Sequence, residues 1–491
     1  MTRRTTRIAA VLAAASLIAA ACGDDDDDDS ATTDASAETD APTDTDAAPG
    51  TTAATDGTEA PGTTTGDTEA PDETEAPDTT EGEDGGGEAF AVSTDDCVDP
   101  DAANEPIEGT VQIASSMPLS GSPAAAAFAP VAAGFQAYID YANENELVPG
   151  YELALTVGDD QYNPATTPNV VNGALDAGAH IFSGIIGTPN NEAVRDLLNE
   201  ECVPQLMANT GSPAWGEVAD YPWTTGALMP YNVETEMYVA EIVKAFPDGA
   251  TAAVFYTNND FGQVYNDAFE ELAGDNNIEI VDTQTIEAPE TAPPQAQVSS
   301  IAGNAPDVIM AAPLGAQCGT FANELVNAKA ANPGWEPVVY ITNTCASPLI
   351  LAISGPAADG LITSQGQGLK DIGNAEVADA DPEIVIYKEY MESRGEGDTI
   401  PTSAAGWTTG EVTVAILAQA AESPDGLTRA SIINAARNFE YTPSMGRDGI
   451  VFKMNGEEDP FLVESAQIVQ YDAANAIFND IGELITEFES S

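Results

Sequence analysis

Residues 107–164 read IEGTVQIASSMPLSGSPAAAAFAPVAAGFQAYIDYANENELVPGYELALTVGDDQYNP. A β-branched run, Thr110–Ser115, leads through a Ser/Gly/Pro loop into an Ala-rich stretch and then a second run, Tyr151–Gly158. Within the Ala-rich stretch Val131, Phe135, Tyr138 and Ile139 fall at i, i+4, i+7 and i+8, one face of a helix over Pro130–Asn143. Strand, helix, strand is the repeating unit of a parallel sheet with helices on both faces.

The same texture runs onward. The expected strands are His180–Ile185, Val203–Ala208, Ala252–Tyr256, Ile278–Asp282, Asp307–Ala312, Pro337–Thr342 and Gly360–Thr363. Between them lie expected helices at Asn190–Asn199, Asn232–Phe246, Gly262–Ala273, Gly319–Ala330 and Gly406–Ala421. Residues 107–491 exceed one such sheet, so the fold class expected is α/β with two doubly wound parallel-sheet lobes.

Upstream the composition changes. Residues 22–106 are rich in Thr, Asp, Glu, Ala and Pro, and Thr-Glu-Ala-Pro recurs at 58–61, 68–71 and 74–77. Such a segment buries too little apolar surface to offset its ordering entropy, so a disordered tether is expected there, spanning on the order of 50 Å. Before it, Arg3, Arg4 and Arg7 precede an apolar run, Ile8–Ala21. That run is short of the roughly 20 residues of a transmembrane helix, and residues 1–21 read as a signal peptide. The ending Ala19-Ala20-Ala21-Cys22-Gly23 resembles the lipobox of bacterial lipoproteins, which implies acylation of Cys22 and a lipid anchor on the extracytoplasmic face of the cell membrane. Ala19-x-Ala21 also fits ordinary secretory cleavage.

Charge and composition exclude several classes. Lys and Arg number 13 against 82 Asp and Glu, for a net charge of -69. Nucleic acid is not an expected partner, because its phosphates are held by cations. One histidine, His180, argues against a His-based zinc centre or a Ser-His-Asp triad. Gly366-x-Gly368 lacks the third glycine of a dinucleotide fingerprint, since residue 371 is Asp371. No G-x-S-x-G or S-x-x-K is present. No metal, no cofactor and no enzymatic activity are expected.

Ligands of open parallel sheets bind beyond the carboxyl ends of the strands. The corresponding loops are Ser116–Phe128, Asp159–Pro164, Ile186–Asn190, Asn209–Trp215, Thr257–Phe261, Pro313–Cys318 and Asn343–Ser347. They hold Ser, Thr, Asn, Gly and Pro but no Lys, Arg or His. Backbone N–H groups and hydroxyls at helix N-termini hold a carboxylate without a fixed cation. Ordinary turn and capping chemistry also accounts for any single loop.

Five motifs at these loops, in order, carry a resemblance. They are Ser116-x-x-Leu119-Ser120-Gly121, Asp159 through Pro164, Ser183-Gly184-x-x-Gly187-Thr188, Val203-Pro204 leading to Asn209–Pro213, and Asn259-Asp260-Phe261-Gly262. From about Gly109 to Gln470 the chain resembles the type I periplasmic binding proteins, leucine/isoleucine/valine-binding branch, which are the substrate-binding subunits of ABC importers. The resemblance implies two lobes joined by a three-stranded hinge, lobe 1 at about 107–229 and 361–446 and lobe 2 at about 230–360 and 447–491. It implies a small-molecule ligand, closure by hinge motion and an ABC permease as partner. It places a carboxylate grip at Thr188 and at Asn209, Thr210, Gly211 and Ser212, an aromatic lid at Phe261, a first-loop aromatic at Phe128, and further ligand-facing residues at Ser120 and Asn343. The acid that pairs with a ligand ammonium in the amino-acid binders is missing from Thr342-Asn343-Thr344-Cys345. A neutral amide, a polyol or a small hydrophobic acid therefore stands open beside an amino acid.

Four further cysteines, Cys97, Cys202, Cys318 and Cys345, allow three pairings. Within the implied lobes, Cys318 and Cys345 follow successive strands of lobe 2, while Cys97 and Cys202 share the opposite face of lobe 1. Cys97–Cys202 and Cys318–Cys345 are the expected disulfides, with a reactive thiol pair or free buried thiols as alternatives. His180 and Trp407 read as structural, and Trp215 and Trp223 as core or hinge packing with cleft lining as the alternative. Two other functions compete with solute delivery: a sensor domain reporting to a membrane signalling protein, and a hydrolase using Asp159 and Asp160.

Overall fold

The computed structural model describes residues 89–486 apart from 348, 349, 352, 353, 367, 368 and 425. The expected signal peptide, Cys22 and the tether as far as 88 lie outside the described residues. The last part of the expected tether, 89–106, is built into the domain, so its boundary at 106 moves back. Phe90 N–H donates to Asn438 Oδ1 at 2.9 Å and Val92 N–H to Asn434 Oδ1 at 2.7 Å. Cys97 is bonded to Cys202, with Cα atoms 5.5 Å apart. A few apolar residues and one cross-link hold a segment whose average composition suggested nothing to bury.

Lobe 1 is built on five parallel strands in the order β2-β1-β3-β4-β5. They are β1 Thr110–Met117, β2 Glu152–Asp159, β3 Ile181–Ser183, β4 Gln205–Ala208 and β5 Thr224–Gly226. Ile113 lies opposite both Leu155 and Ile181. Nearly every residue of β1 is buried, because helices cover both faces of the sheet. His180 fixes one edge of this register, its Nδ1 accepting from Gln112 N–H at 3.0 Å.

Lobe 2 carries a seven-stranded sheet in the order β14-β13-β10-β9-β8-β6-β7. Its strands are β6 Ala250–Thr257, β7 Ile278–Ile286, β8 Val308–Ala312, β9 Val338–Ile341, β10 Ile362–Gly366, β13 Ala466–Asp472 and β14 Ile477–Asp480. The strands from β6 to β10 pair in parallel, whereas β13 and β14 are antiparallel additions. Between them β11 Asn438–Tyr441 and β12 Phe452–Asn455 form a separate ladder. Two lobe boundaries shift accordingly. The expected return to lobe 1 at 361 falls after β10, because Ile362–Gly366 pairs with β9 and β13. The expected return to lobe 2 at 447 falls after β12, because Phe452–Asn455 pairs with β11. The chain thus crosses between the sheets three times.

Helix α2, Ala125–Glu144, and the helix Ile400–Ala421 cross backbone to backbone. A Cβ at Gly134 would fall 1.8 Å from Ser403 O, and one at Gly406 would fall 1.8 Å from Val131 O. Glycine is retained inside these helices, despite its cost of about 1 kcal/mol, because nothing larger fits. Trp407 sits beside this crossing among Tyr138, Tyr141, Tyr387 and Tyr390. Among the described residues no helix is long and apolar enough to cross a membrane.

Candidate functional site

A cavity of about 210 Å³ lies between the lobes, where the crossing segments meet. Lobe 1 contributes Phe128 and Val131 from α2 and Thr402, Ala405 and Thr409 from the helix Ile400–Ala421. Lobe 2 contributes Asn343, Thr344 and Ser347 after β9, Gln365 at the end of β10 and Phe478 in β14. Asn209, Leu228 and the crossing stretch 369–373 complete it. Across the cleft, Ala316 N–H donates to Pro123 O at 3.1 Å. Gly315 lies so close to Pro123 and Ala124 that a Cβ there would meet them at 2.8–2.9 Å.

The loop presenting Asn343 is firmly held. Thr342 Oγ1 accepts from Thr344 N–H, starting a single turn over Asn343–Cys345. Cys345 is bonded to Cys318 on the helix α8, Ala316–Ala331, with Cα atoms 5.8 Å apart. Both expected disulfides therefore form, and this one fixes the cavity wall. The Asn343 amide Nδ2 is buried without a hydrogen-bond partner. The charged groups of the wall are already committed. Lys370 pairs with Asp381 at 2.6 Å and donates to Ser444 O at 3.1 Å. Asp371 accepts from Gly373 and Phe478 N–H groups, and burial pushes its carboxyl pKa up.

The expected ligand grip lies next door and is occupied by the chain itself. Thr188, at the start of α4 (Thr188–Glu200), and Thr210 are both buried, with hydroxyls 2.7 Å apart. Tyr231 lies beside them, and burial holds its phenol well above its ordinary pKa. Tyr231 opens α5, Tyr231–Ala245, and its N–H donates to Gly211 O at 2.7 Å. A Cβ at Gly211 would meet the Tyr231 ring at 2.6 Å, so glycine admits the ring. Phe261, on α6 (Asp260–Asp275), lies edge-on at 5.4 Å, and Tyr265 stacks at 4.7 Å. Thr188, Thr210, Gly211 and Phe261 thus surround Tyr231. Ser212 caps the turn Pro213–Gly216. Ser120 is exposed, and its hydroxyl donates to Asp159 at 2.5 Å. Of the nine expected ligand residues, Phe128, Asn209 and Asn343 line the cavity. Tyr231 escaped the sequence reading because it precedes the expected helix start at Asn232. An aromatic directly after Pro230, at the first crossing, was the available signal.

Glu234 stands behind both regions. It is fully buried on α5. Its carboxylate accepts from Asn343 N–H at 2.9 Å, Ser364 Oγ at 2.7 Å, Tyr238 OH at 2.5 Å and Tyr265 OH. Burial pushes its pKa up, and these donors oppose the shift. Asp159 and Asp160 serve separate structural shells: Asp159 ties Leu119, Ser120 and Gln161, and Asp160 ties Ser116, Tyr162, Thr167 and Asn190. Among the described residues no group of three or more His, Cys, Asp or Glu is placed to hold a metal ion.

The family model "Periplasmic binding protein" matches residues 110–476. No curated protein matches the chain in sequence. Solved structures similar to it in fold include the following three. A branched-chain amino acid ABC transporter protein from Thermus thermophilus with bound valine is 20% identical, with TM-score 0.67, over 77% of this chain and 97% of that one. A fatty acid ABC transporter substrate-binding protein from Thermomonospora curvata is 16% identical, with TM-score 0.64, over 78% and 95%. A solute-binding protein from R. palustris in complex with benzoate is 17% identical, with TM-score 0.63, over 77% and 97%.

Proposed function

The chain belongs to the periplasmic binding protein family, and from that premise we propose that it is an extracytoplasmic solute-binding lipoprotein, anchored through Cys22, that captures a small molecule between its lobes and delivers it to an ABC permease. The observation that carries this reading is the cavity built jointly from both lobes, with Phe128 and Thr409 on one side and Asn343 and Phe478 on the other. A ligand there touches both lobes at once and favours their closed arrangement by its differential affinity. The similar structures with bound valine or benzoate, and that of a fatty acid transporter protein, agree with a ligand of apolar body. The acylated Cys22 and the acidic segment after it would keep the domain near its permease while leaving it free to search.

The test is ligand-dependent stabilisation and compaction of the full chain, stripped of carried ligand by unfolding and refolding. A ligand present at about 1,000 times its Kd adds roughly 4 kcal/mol, which raises Tm by several degrees. Small-angle scattering should show compaction with the same compound, and no compaction with any stabilising compound would sink the reading. A deletion strain with normal uptake and a lost transcriptional response would move the protein to the sensor class.

A further inference from the structure

Resting on that reading, we propose that Tyr231 is a resident plug of the inner cleft, which restricts the ligand to a small, uncharged and mainly apolar molecule held in the neighbouring cavity. Three observations converge. First, the two threonine hydroxyls able to grip an anionic group are spent on each other, 2.7 Å apart, beside the Tyr231 ring. The site is closed by packing: Gly211 lies under the ring, with Phe261 and Tyr265 against it. Tyr231 itself is buried. A carboxylate cannot enter without expelling an aromatic ring.

Second, the open cavity offers a charged ligand no free partner among its described lining residues. Lys370 is neutralised by Asp381, Asp371 is tied to two backbone N–H groups, and Glu234 is spent behind Asn343. Burying a charge without a partner costs far more than any contact there returns. Third, the chamber is small and largely apolar. At about 210 Å³ the chamber is smaller than the roughly 300–1,000 Å³ of sites for drug-sized ligands. Phe128, Leu228 and Phe478 supply the apolar surface.

The experiment compares three probes with one carbon skeleton: 4-methylpentanamide, 4-methylpentanoate and leucine. Calorimetric titration of the full chain should show the amide binding at least tenfold tighter than either charged probe. In Tyr231→Ala, checked as folded by its melting transition, 4-methylpentanoate should gain at least tenfold. Adding Thr188→Val should erase that gain, because the freed hydroxyl provides it. If Tyr231→Ala does not fold, Thr188→Val alone decides. It should change amide binding less than twofold, and a tenfold loss would place Thr188 on the ligand and overturn the proposal. Tight wild-type binding of leucine or 4-methylpentanoate also overturns it. Amide binding with no carboxylate gain in Tyr231→Ala overturns the plug but leaves solute capture standing. Failure of every probe together with absence of compaction over a wide panel overturns both.

Discussion

Asn209 and Thr210 are neighbours in the chain but belong to regions built in opposite ways. Thr210 faces inward to a packed cluster: hydroxyl on hydroxyl and ring on ring. Asn209 faces a cavity in which apolar side chains meet empty volume. The difference teaches where a ligand gains most. A satisfied cluster has little to offer a newcomer, whereas apolar walls around empty volume gain by binding. A loop at the end of a parallel strand can thus supply a cleft with a structural residue and a recognition residue at consecutive positions.

The sharpest way to break the comparison is to remove what both regions share. Glu234 holds Tyr265, which stacks on the plug, and the Asn343 backbone, which shapes the cavity wall. In Glu234→Ala four buried donors lose their acceptor. Each orphaned donor costs about 1–3 kcal/mol, so a loss of about 3 kcal/mol or more is expected in denaturant unfolding. Glu234→Gln keeps a side-chain oxygen and should lose less. A Glu234→Ala protein as stable as the wild type would show that the two regions stand independently.

The cavity alone is sharpened by Asn343→Ala. The substitution removes Nδ2 and leaves the backbone N–H on Glu234. Ligand affinity should fall several-fold, because a side chain that lines the cavity is lost. Stability without ligand should hold or rise slightly, since an orphan donor is gone. Equal affinity in titration calorimetry would take Asn343 out of recognition.

Much of this architecture was legible in the sequence, for definable reasons. The helix period at Val131, Phe135, Tyr138 and Ile139 and the β-branched runs marked elements whose burial is strong and regular. Within the implied lobes, Cys318–Cys345 followed from both cysteines coming after successive lobe 2 strands, and Cys97–Cys202 from both lying at the opposite face of lobe 1. The helix Pro382–Ser393 was not read, since Ile384-Val385-Ile386 looks like a strand. Its start was nonetheless signalled by Pro382 and by Asp381, whose Oδ1 accepts from two N–H groups of the first turn. The short late strands β11 to β14 leave too little pattern, and with them went the second and third crossings. The site was legible as a set of loops and not as a set of contacts. Which of two neighbours faces the ligand depends on a ring arriving from another segment, and Tyr231 lies about twenty residues beyond Thr210 in a stretch that reads as a connection.

The smallest expected effect concerns the outer lip, where the lobes meet beyond the plug. Glu192 on α4 has its pKa pushed up to about 7, first by partial burial and then by Asp260 at the head of α6 in the other lobe. Arg195 opposes the shift and Glu217 adds to it. A carboxyl raised above its unfolded value of 4.5 binds more protons in the folded, closed form between about pH 4.5 and 7. Closure is therefore favoured at the acid end of that window and declines as pH rises through it, levelling off above. The Glu192 side chain is exposed, and exposed charge pairs are worth well under about 1 kcal/mol, so the ligand Kd should rise only about twofold from pH 5 to 7.5. Asp371 and Glu234 titrate in the same direction and contribute to the total slope. The informative quantity is the difference between wild type and Glu192→Gln, measured by titration across that range at low salt. The variant should be flatter, and the difference should shrink as salt screens the lip. Parallel profiles would mean that the lip carboxylates do not sense closure, leaving the plug and the cavity as the groups through which the two lobes communicate.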